Sequence, residues 1–171
     1  MHAAAALRLL ILTGARLREI LHLRWEHVDV ERGLLLLPDS KTGRKTIVLN
    51  RPALEILKAH PRTGLFVIVG DKPDQPRTDL KKPWAAVSRR AGIEGVRLHD
   101  LRHTFASIGA GASLGLPIVG KLLGRSQPQT TARYAHLDAD PLLRAANLIG
   151  ERIESAMNLT AAIDSGETRR S

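Results

Sequence analysis

With 171 residues, 43% of them hydrophobic and only 3% aromatic, the chain has the size of one globular domain with a core of Leu, Ile, Val and Ala. It has no cysteine, which excludes disulfides and thiolate sites, and its longest apolar runs, such as Ala3 to Thr13 with Arg8 inside it, are too short to span a bilayer. Lys and Arg number 26 against 17 acidic residues, a net charge of +9 that favours a polyanionic partner; nucleic acid comes before membrane because no basic amphipathic helix stands out.

The run His2 to Thr13 is a strong helix former, apolar almost all round, and is expected to be buried. Gly14 can stop it, and Ala15 to Trp25 reads as a second helix with Leu17, Ile20, Leu21 and Leu23 inward. Arg16, just past the glycine turn, stands where a helix start meets an anion. Gly33 to Pro38 and Thr46 to Leu49 read as two strands, joined by the turn Asp39 to Lys45 that carries Lys41. Pro52 opens a short helix over Ala53 to His60, and Leu65 to Val69 is a candidate third strand ahead of the loop Gly70 to Thr78.

A helix from Asp79 to Ala91 follows, with Leu80, Trp84, Val87 and Ser88 inward and Lys81, Lys82, Arg89 and Arg90 outward. Asp100 is the expected N-cap of a helix from Leu101 to Ile108, which puts His99 before the first turn and Arg102 within it. Both can then face one spot near free backbone N–H groups. Gly109 to Gly115 reads as a bend, Pro117 to Leu123 as a helix closed by Gly124, and Gln129 to Tyr134 as another short helix. After Asp140-Pro141, the residues Leu142, Ala146, Ile149, Ile153 and Ala156 or Met157 repeat at helical spacing. Leu159 to Ser171 is polar, small and basic, and is expected to fray. His2, His22, His27 and His60 show no metal-ligand spacing.

Four stretches then stand out in order: Thr13-Gly-Ala-Arg16 with Glu19, Lys41-Thr-Gly on a hairpin, His99-Asp-Leu-Arg102-His-Thr, and Leu123-Gly ahead of Thr130-Thr-Ala-Arg-Tyr134-Ala-His. In that order, and over nearly the whole chain from Ala3 to Met157, they resemble the catalytic domain of the tyrosine recombinase (phage integrase) family. The resemblance implies a mainly α fold with a small antiparallel three-stranded β-sheet at one edge. It also implies cleavage and rejoining of double-stranded DNA through a 3′-phosphotyrosyl link, with no metal and no nucleotide cofactor.

Carried onto this sequence, the resemblance makes Tyr134 the nucleophile and Arg16 and Arg102 the clamp on the scissile phosphate, a task suited to planar guanidinium forks. It makes Lys41 the proton donor to the leaving 5′-oxygen and His99 an aid to proton transfer at the tyrosine, with Glu19 supporting the site. Arg125 stands where the family usually carries His or Trp; it can contact phosphate but cannot exchange protons at neutral pH. The expected partners are DNA and further copies of the chain, assembled as a tetramer on two sites, with the last helix (141–157) a candidate for exchange between neighbours. Residues 1–157 are expected to form the catalytic domain, without the N-terminal core-binding domain that family members usually carry, and 158–171 a disordered tail. No membrane is implied, and the expected setting is the cytoplasm of a bacterium or phage host, at the nucleoid. Two other readings use the same residues: an integrase remnant that binds DNA without cutting it, and a type IB topoisomerase.

Overall fold

A computed structural model describes residues 1–40, 43–70, 72, 74–124 and 139–167, and the side chains of these except 39–40, 139–140 and 159–167. Helix α1 (His2–Thr13) is its axis. It packs on α2 (Leu17–Leu21), α3 (Arg51–Ala59), α4 (Lys81–Arg90), α5 (Asp100–Gly111) and the long α7 (Ala139–Glu167), and α6 (Leu116–Leu122) joins from the side of α5 and α7. Ala5, Ala6, Leu9, Leu10 and Leu12 are buried and only a narrow stripe at Ala4 and Arg8 is exposed, which is why this helix reads as apolar on nearly every face.

The sheet is three-stranded and antiparallel in the order β1 (Val28–Asp29), β2 (Leu34–Ser40), β3 (Gly43–Val48). Its third strand is not Leu65 to Val69, as the sequence suggests. That run makes isolated bridges only, Arg24 to Phe66 and Val69 to Pro76, while the sheet's outer place goes to Val28 and Asp29. Val67 and Ile68 are fully buried, so the apolar run serves the core without joining a ladder. The β2–β3 register shifts between Leu37 and Ser40, around Pro38, whose missing N–H makes an irregular position its natural place.

Other boundaries move for tertiary reasons. The second helix stops at Leu21 and gives way to a 3-10 turn at Trp25–His27. Val87, expected inward, is 44% exposed because Leu80 and Ser88 supply the covered face at α4. Gly109 to Gly111 continue α5 instead of bending it. A Cβ on Gly109 would lie 2.9 Å from Ile149 of α7 and 2.9 Å from Val119 of α6, so this glycine lets three helices meet. Asp100 is the first residue of α5 and not its cap: its carboxylate accepts the Arg97 backbone N–H at 2.8 Å, so the chain already turns from Arg97. The last helix starts at Ala139, ahead of Asp140-Pro141, and its backbone stays helical to Glu167, past the end of the apolar stripe.

Asn50 ties three elements together. Its Oδ1 accepts the Ala53 N–H at 3.0 Å as N-cap of α3, its Nδ2 donates to the Leu12 carbonyl at 2.6 Å, and Gly150 of α7 lies flat against it. A Cβ on Gly150 would come within 2.5 Å of Asn50 Cγ, a side chain that is buried and bonded at both ends. Gly150→Ala is therefore expected to destabilise the fold by about 2 kcal/mol despite the better helix propensity of alanine. Gly120→Ala in α6, where a Cβ meets nothing within 4 Å, should instead be neutral or stabilising by about 0.5–1 kcal/mol; urea denaturation of both variants checks the pair.

Candidate active site

The junction of α1 and α2 places the first arginine. Gly14 caps α1 in the left-handed conformation (φ 62°), and a Cβ there would lie 2.7 Å from Leu123 and 2.8 Å from Phe105, so no larger residue fits. Arg16 follows as the N-cap of α2 with extended backbone. Its side chain is no cap, and Glu19, three residues on, folds back instead. Glu19 Oε2 accepts the Arg16 backbone N–H at 2.8 Å, and Oε1 accepts Arg16 Nη1 at 3.0 Å. The Arg16 side chain is left partly open to solvent while the carboxylate is buried.

A second cation reaches the same carboxylate. Lys45 Nζ donates to Glu19 Oε2 at 2.8 Å, with both side chains inside the fold (4% and 6% exposed). Burial by itself pushes the Glu19 carboxyl up, but the Lys45 hydrogen bond, the Arg16 backbone N–H and the two cations together hold it below its ordinary 4.5. Burial also pushes the Lys45 ammonium below its usual range; Glu19 opposes that, and the charges of Arg102 and Arg16 reinforce it.

Arg102 lies within the first turn of α5 and is 7% exposed. Its Nη1 donates to the Gly14 carbonyl and its Nη2 to the Leu123 carbonyl at 2.7 Å. Gly14 and Leu123 are the C-caps of α1 and α6, so the guanidinium sits at the negative ends of two helices, a favourable place for a cation. The two residues whose carbonyls it bonds stand two positions before Arg16 and two before Arg125 in the sequence. His99 immediately precedes α5 and is exposed, its ring edge-on to His103 with centroids 5.0 Å apart.

The structure thus brings Arg16, Glu19 and Arg102 to one end of α1, with His99 on the turn that leads into Arg102. Lys41, Arg125 and Tyr134 lie outside the described residues, as does the expected helix 129–134. Lys45 is the functional candidate that the sequence reading passes over. That reading starts the strand at Thr46 and leaves Lys45 in the turn, whereas β3 begins at Gly43 and Lys45 shares the buried face with Ile47 and Leu49. The period of two, counted back from Leu49, is the signal that could have found it. His2 and His60, separated by 58 positions, meet with ring nitrogens 2.9 Å apart, yet among the described residues no group of three or more His, Cys, Asp or Glu is placed to hold a metal ion.

Residues 1–140 match the model of the phage integrase family, and the chain belongs to that family. It is 31% identical over 153 residues to the integrase of Salmonella phage P22, an alignment covering 80% of this chain and 40% of that protein. It is 37% identical over 145 residues to tyrosine recombinase XerC of Pseudomonas savastanoi pv. phaseolicola, covering 78% of this chain and 48% of that protein. The chain therefore spans less than half the length of both relatives. Among solved structures, the XerH site-specific recombinase bound to its difH substrate in a pre-cleavage complex superposes with a TM-score of 0.62 at 21% identity, over 79% of this chain and 42% of that one. The fold is that of these recombinase catalytic domains. Among the described residues no helix is long and apolar enough to cross a membrane.

Removing the Glu19 charge tests how far the site rests on it. Glu19→Gln leaves Lys45 buried beside two arginines without a counter-charge, and is expected to cost about 3 kcal/mol near neutral pH. The pH dependence follows from the lowered Glu19 value: its contribution is full above its unfolded value of 4.5 and is lost as pH falls through the lower folded one. The gap in melting temperature between wild type and Glu19→Gln should therefore narrow on acidification below about pH 4.5 in a calorimetric series.

Proposed function

We propose that the chain is the catalytic part of a site-specific DNA recombinase or integrase that cuts and rejoins strands through a 3′-phosphotyrosyl intermediate. The observation that carries this reading is the placement of Arg16 and Arg102 at the same end of α1, where Arg102 bonds the Gly14 carbonyl two positions before Arg16, within a chain of the phage integrase family. Two guanidinium forks on separate elements suit the non-bridging oxygens of one phosphodiester, and they act most on the crowded, charge-rich five-coordinate transition state.

In the proposed reaction Tyr134 Oη attacks the scissile phosphorus and the P–O5′ bond breaks, leaving a 3′-phosphotyrosine and a free 5′-hydroxyl. The phenolic proton leaves with the help of His99, and Lys41 supplies a proton to the departing 5′-oxygen. Glu19 keeps Arg16 directed, and Arg125 adds a cation beside the phosphate. The phosphotyrosyl bond conserves the energy of the phosphodiester, so a 5′-hydroxyl from another strand reverses the step without ATP and with neither metal nor cofactor. The partner is double-stranded DNA in a cytoplasmic, nucleoid setting, a reading the net charge of +9 and the DNA-bound XerH likeness support.

Recombination also calls for further copies of the chain on paired sites. The apolar stripe of α7 is covered at home at Ala145, Ala146, Ile149 and Ile153, so a segment exchanged between neighbours would lie beyond Ile153.

Covalent trapping tests the proposal. The protein is mixed at low salt with a pool of nicked duplexes drawn from the DNA around its gene, then run on a denaturing gel. A protein–DNA adduct is expected from wild type and none from Tyr134→Phe, with Arg102→Lys reduced by about a hundredfold or more. Binding to the pool without an adduct, from the chain both alone and extended by its natural flanking sequence, would overturn the reading in favour of a DNA-binding remnant.

A further inference from the structure

Lys45 belongs to none of the four stretches that point to the chemistry, yet it touches the site from two directions. Its ammonium holds Glu19 Oε2 at 2.8 Å, and the same carboxylate holds the Arg16 backbone at 2.8 Å and the Arg16 guanidinium at 3.0 Å. Its stem lies against Gly124: a Cβ there would fall 2.3 Å from Lys45 Cε and 2.9 Å from Cδ. Gly124 is in the left-handed conformation (φ 65°), where the chain leaves α6 towards Arg125 and, ten residues on, Tyr134. The preceding residue, Leu123, is the one whose carbonyl accepts from Arg102.

We infer that Lys45 is a positioning residue for the phosphate clamp: through Glu19 it fixes the direction of the Arg16 guanidinium, and through its stem it seats the turn at Gly124. The inference rests on the reading that Arg16 meets the phosphate. A half-exposed arginine paired only with a glutamate exchanges its partner for water at little cost. A buried ammonium on the second oxygen changes that. The carboxylate cannot rotate towards Arg16 or away from it without leaving Lys45 charged and unpaired inside the fold, which is strongly unfavourable. Lysine suits the place because an unbranched stem can lie flat on a glycine, where the broader guanidinium would not.

The same geometry separates Lys45 from a proton donor to the leaving group. Its ammonium lies on Glu19 Oε2, the carboxylate that directs Arg16, with the side chain 4% exposed, so its influence on the site runs through Glu19.

The test is made on the full chain, labelled with 15N and 13C, using Lys45→Met, which keeps a linear stem over Gly124 and removes the charge. The guanidinium N–H signals of Arg16 and of Arg102 are identified by their loss in Arg16→Lys and Arg102→Lys. In Lys45→Met the Arg16 signals are expected to exchange with water at least tenfold faster than in wild type, while those of Arg102 and the backbone amides hold. The Glu19 carboxyl carbon should titrate at higher pH in the variant, because two of the influences that lower it are gone. Unchanged Arg16 exchange in a folded Lys45→Met would overturn the inference. Should that variant fail to fold, Lys45→Gln, which removes the charge but keeps a donor, carries the same comparison with the same two outcomes.

A duplex whose scissile 5′-oxygen is replaced by sulfur adds a functional arm, since a thiolate leaves without a proton. Adduct formation by Lys41→Ala should recover on it, whereas that of Lys45→Met, reduced by about a hundredfold, should not. Recovery of Lys45→Met would make Lys45 the proton donor and overturn its positioning role. If wild type forms no adduct on any duplex, alone or extended by its natural flanking sequence, the proposed function fails, and the Arg16 signals still decide on Lys45.

Discussion

A carboxylate buried beside cations is the constraint from which the rest of the site follows. Glu19 gives up nearly all its water, and that is tolerable only because three donors converge on its two oxygens: the Arg16 backbone, the Arg16 guanidinium and the Lys45 ammonium. Each donor comes with a demand on the backbone. Arg16 must stand at the start of α2 in extended conformation, and β3 must turn Lys45 inward beside Ile47. The sheet is thereby attached to the helical body by charge as well as by its apolar face.

Arg102 makes the complementary link. It spans the C-terminal ends of α1 and α6 and bonds the carbonyls of Gly14 and Leu123, positions at which orphan carbonyls need donors. One cation therefore satisfies the ends of two helices and sets the distance between them. The glycines follow from this closeness. Gly14 has Phe105 and Leu123 against it, and Gly124 has the Lys45 stem against it, so both turns are held by neighbours that leave no room for a Cβ. The clamp for phosphate proposed for Arg16 and Arg102 draws its stiffness from bonds made behind the two guanidinium groups.

Family and fold bear on function at different depths. Membership in the phage integrase family and the shared catalytic-domain fold set the chain beside proteins named integrases and tyrosine recombinases. The bonds around Arg16 and Arg102 give the proposed mechanism contacts that can be probed residue by residue. The chain spans 40% of the P22 integrase and 48% of the XerC recombinase.

The sequence by itself determined a great deal. The all-round apolar α1, the glycine stop before Arg16, the β2–β3 hairpin and the periodic stripe of α7 are local patterns, each visible within a few turns or strand residues. The spacing of Arg16 to Glu19 and of His99 to Arg102 is local in the same sense, one helical turn in each case. Tertiary structure alone decided the rest. Leu65 to Val69 has the composition of a strand, but the ladder went to Val28 and Asp29, because a strand exists only where a neighbour offers hydrogen bonds. Gly109 to Gly111 has the composition of a bend and is helical, because Val119 and Ile149 press against a position that only glycine leaves open. Lys45 looked like a soluble turn residue until a carboxylate 26 positions away claimed it. Pairings of that kind join groups far apart in the chain, and burial makes them obligatory; the strand's period of two can turn Lys45 inward, but it does not say which carboxylate meets it.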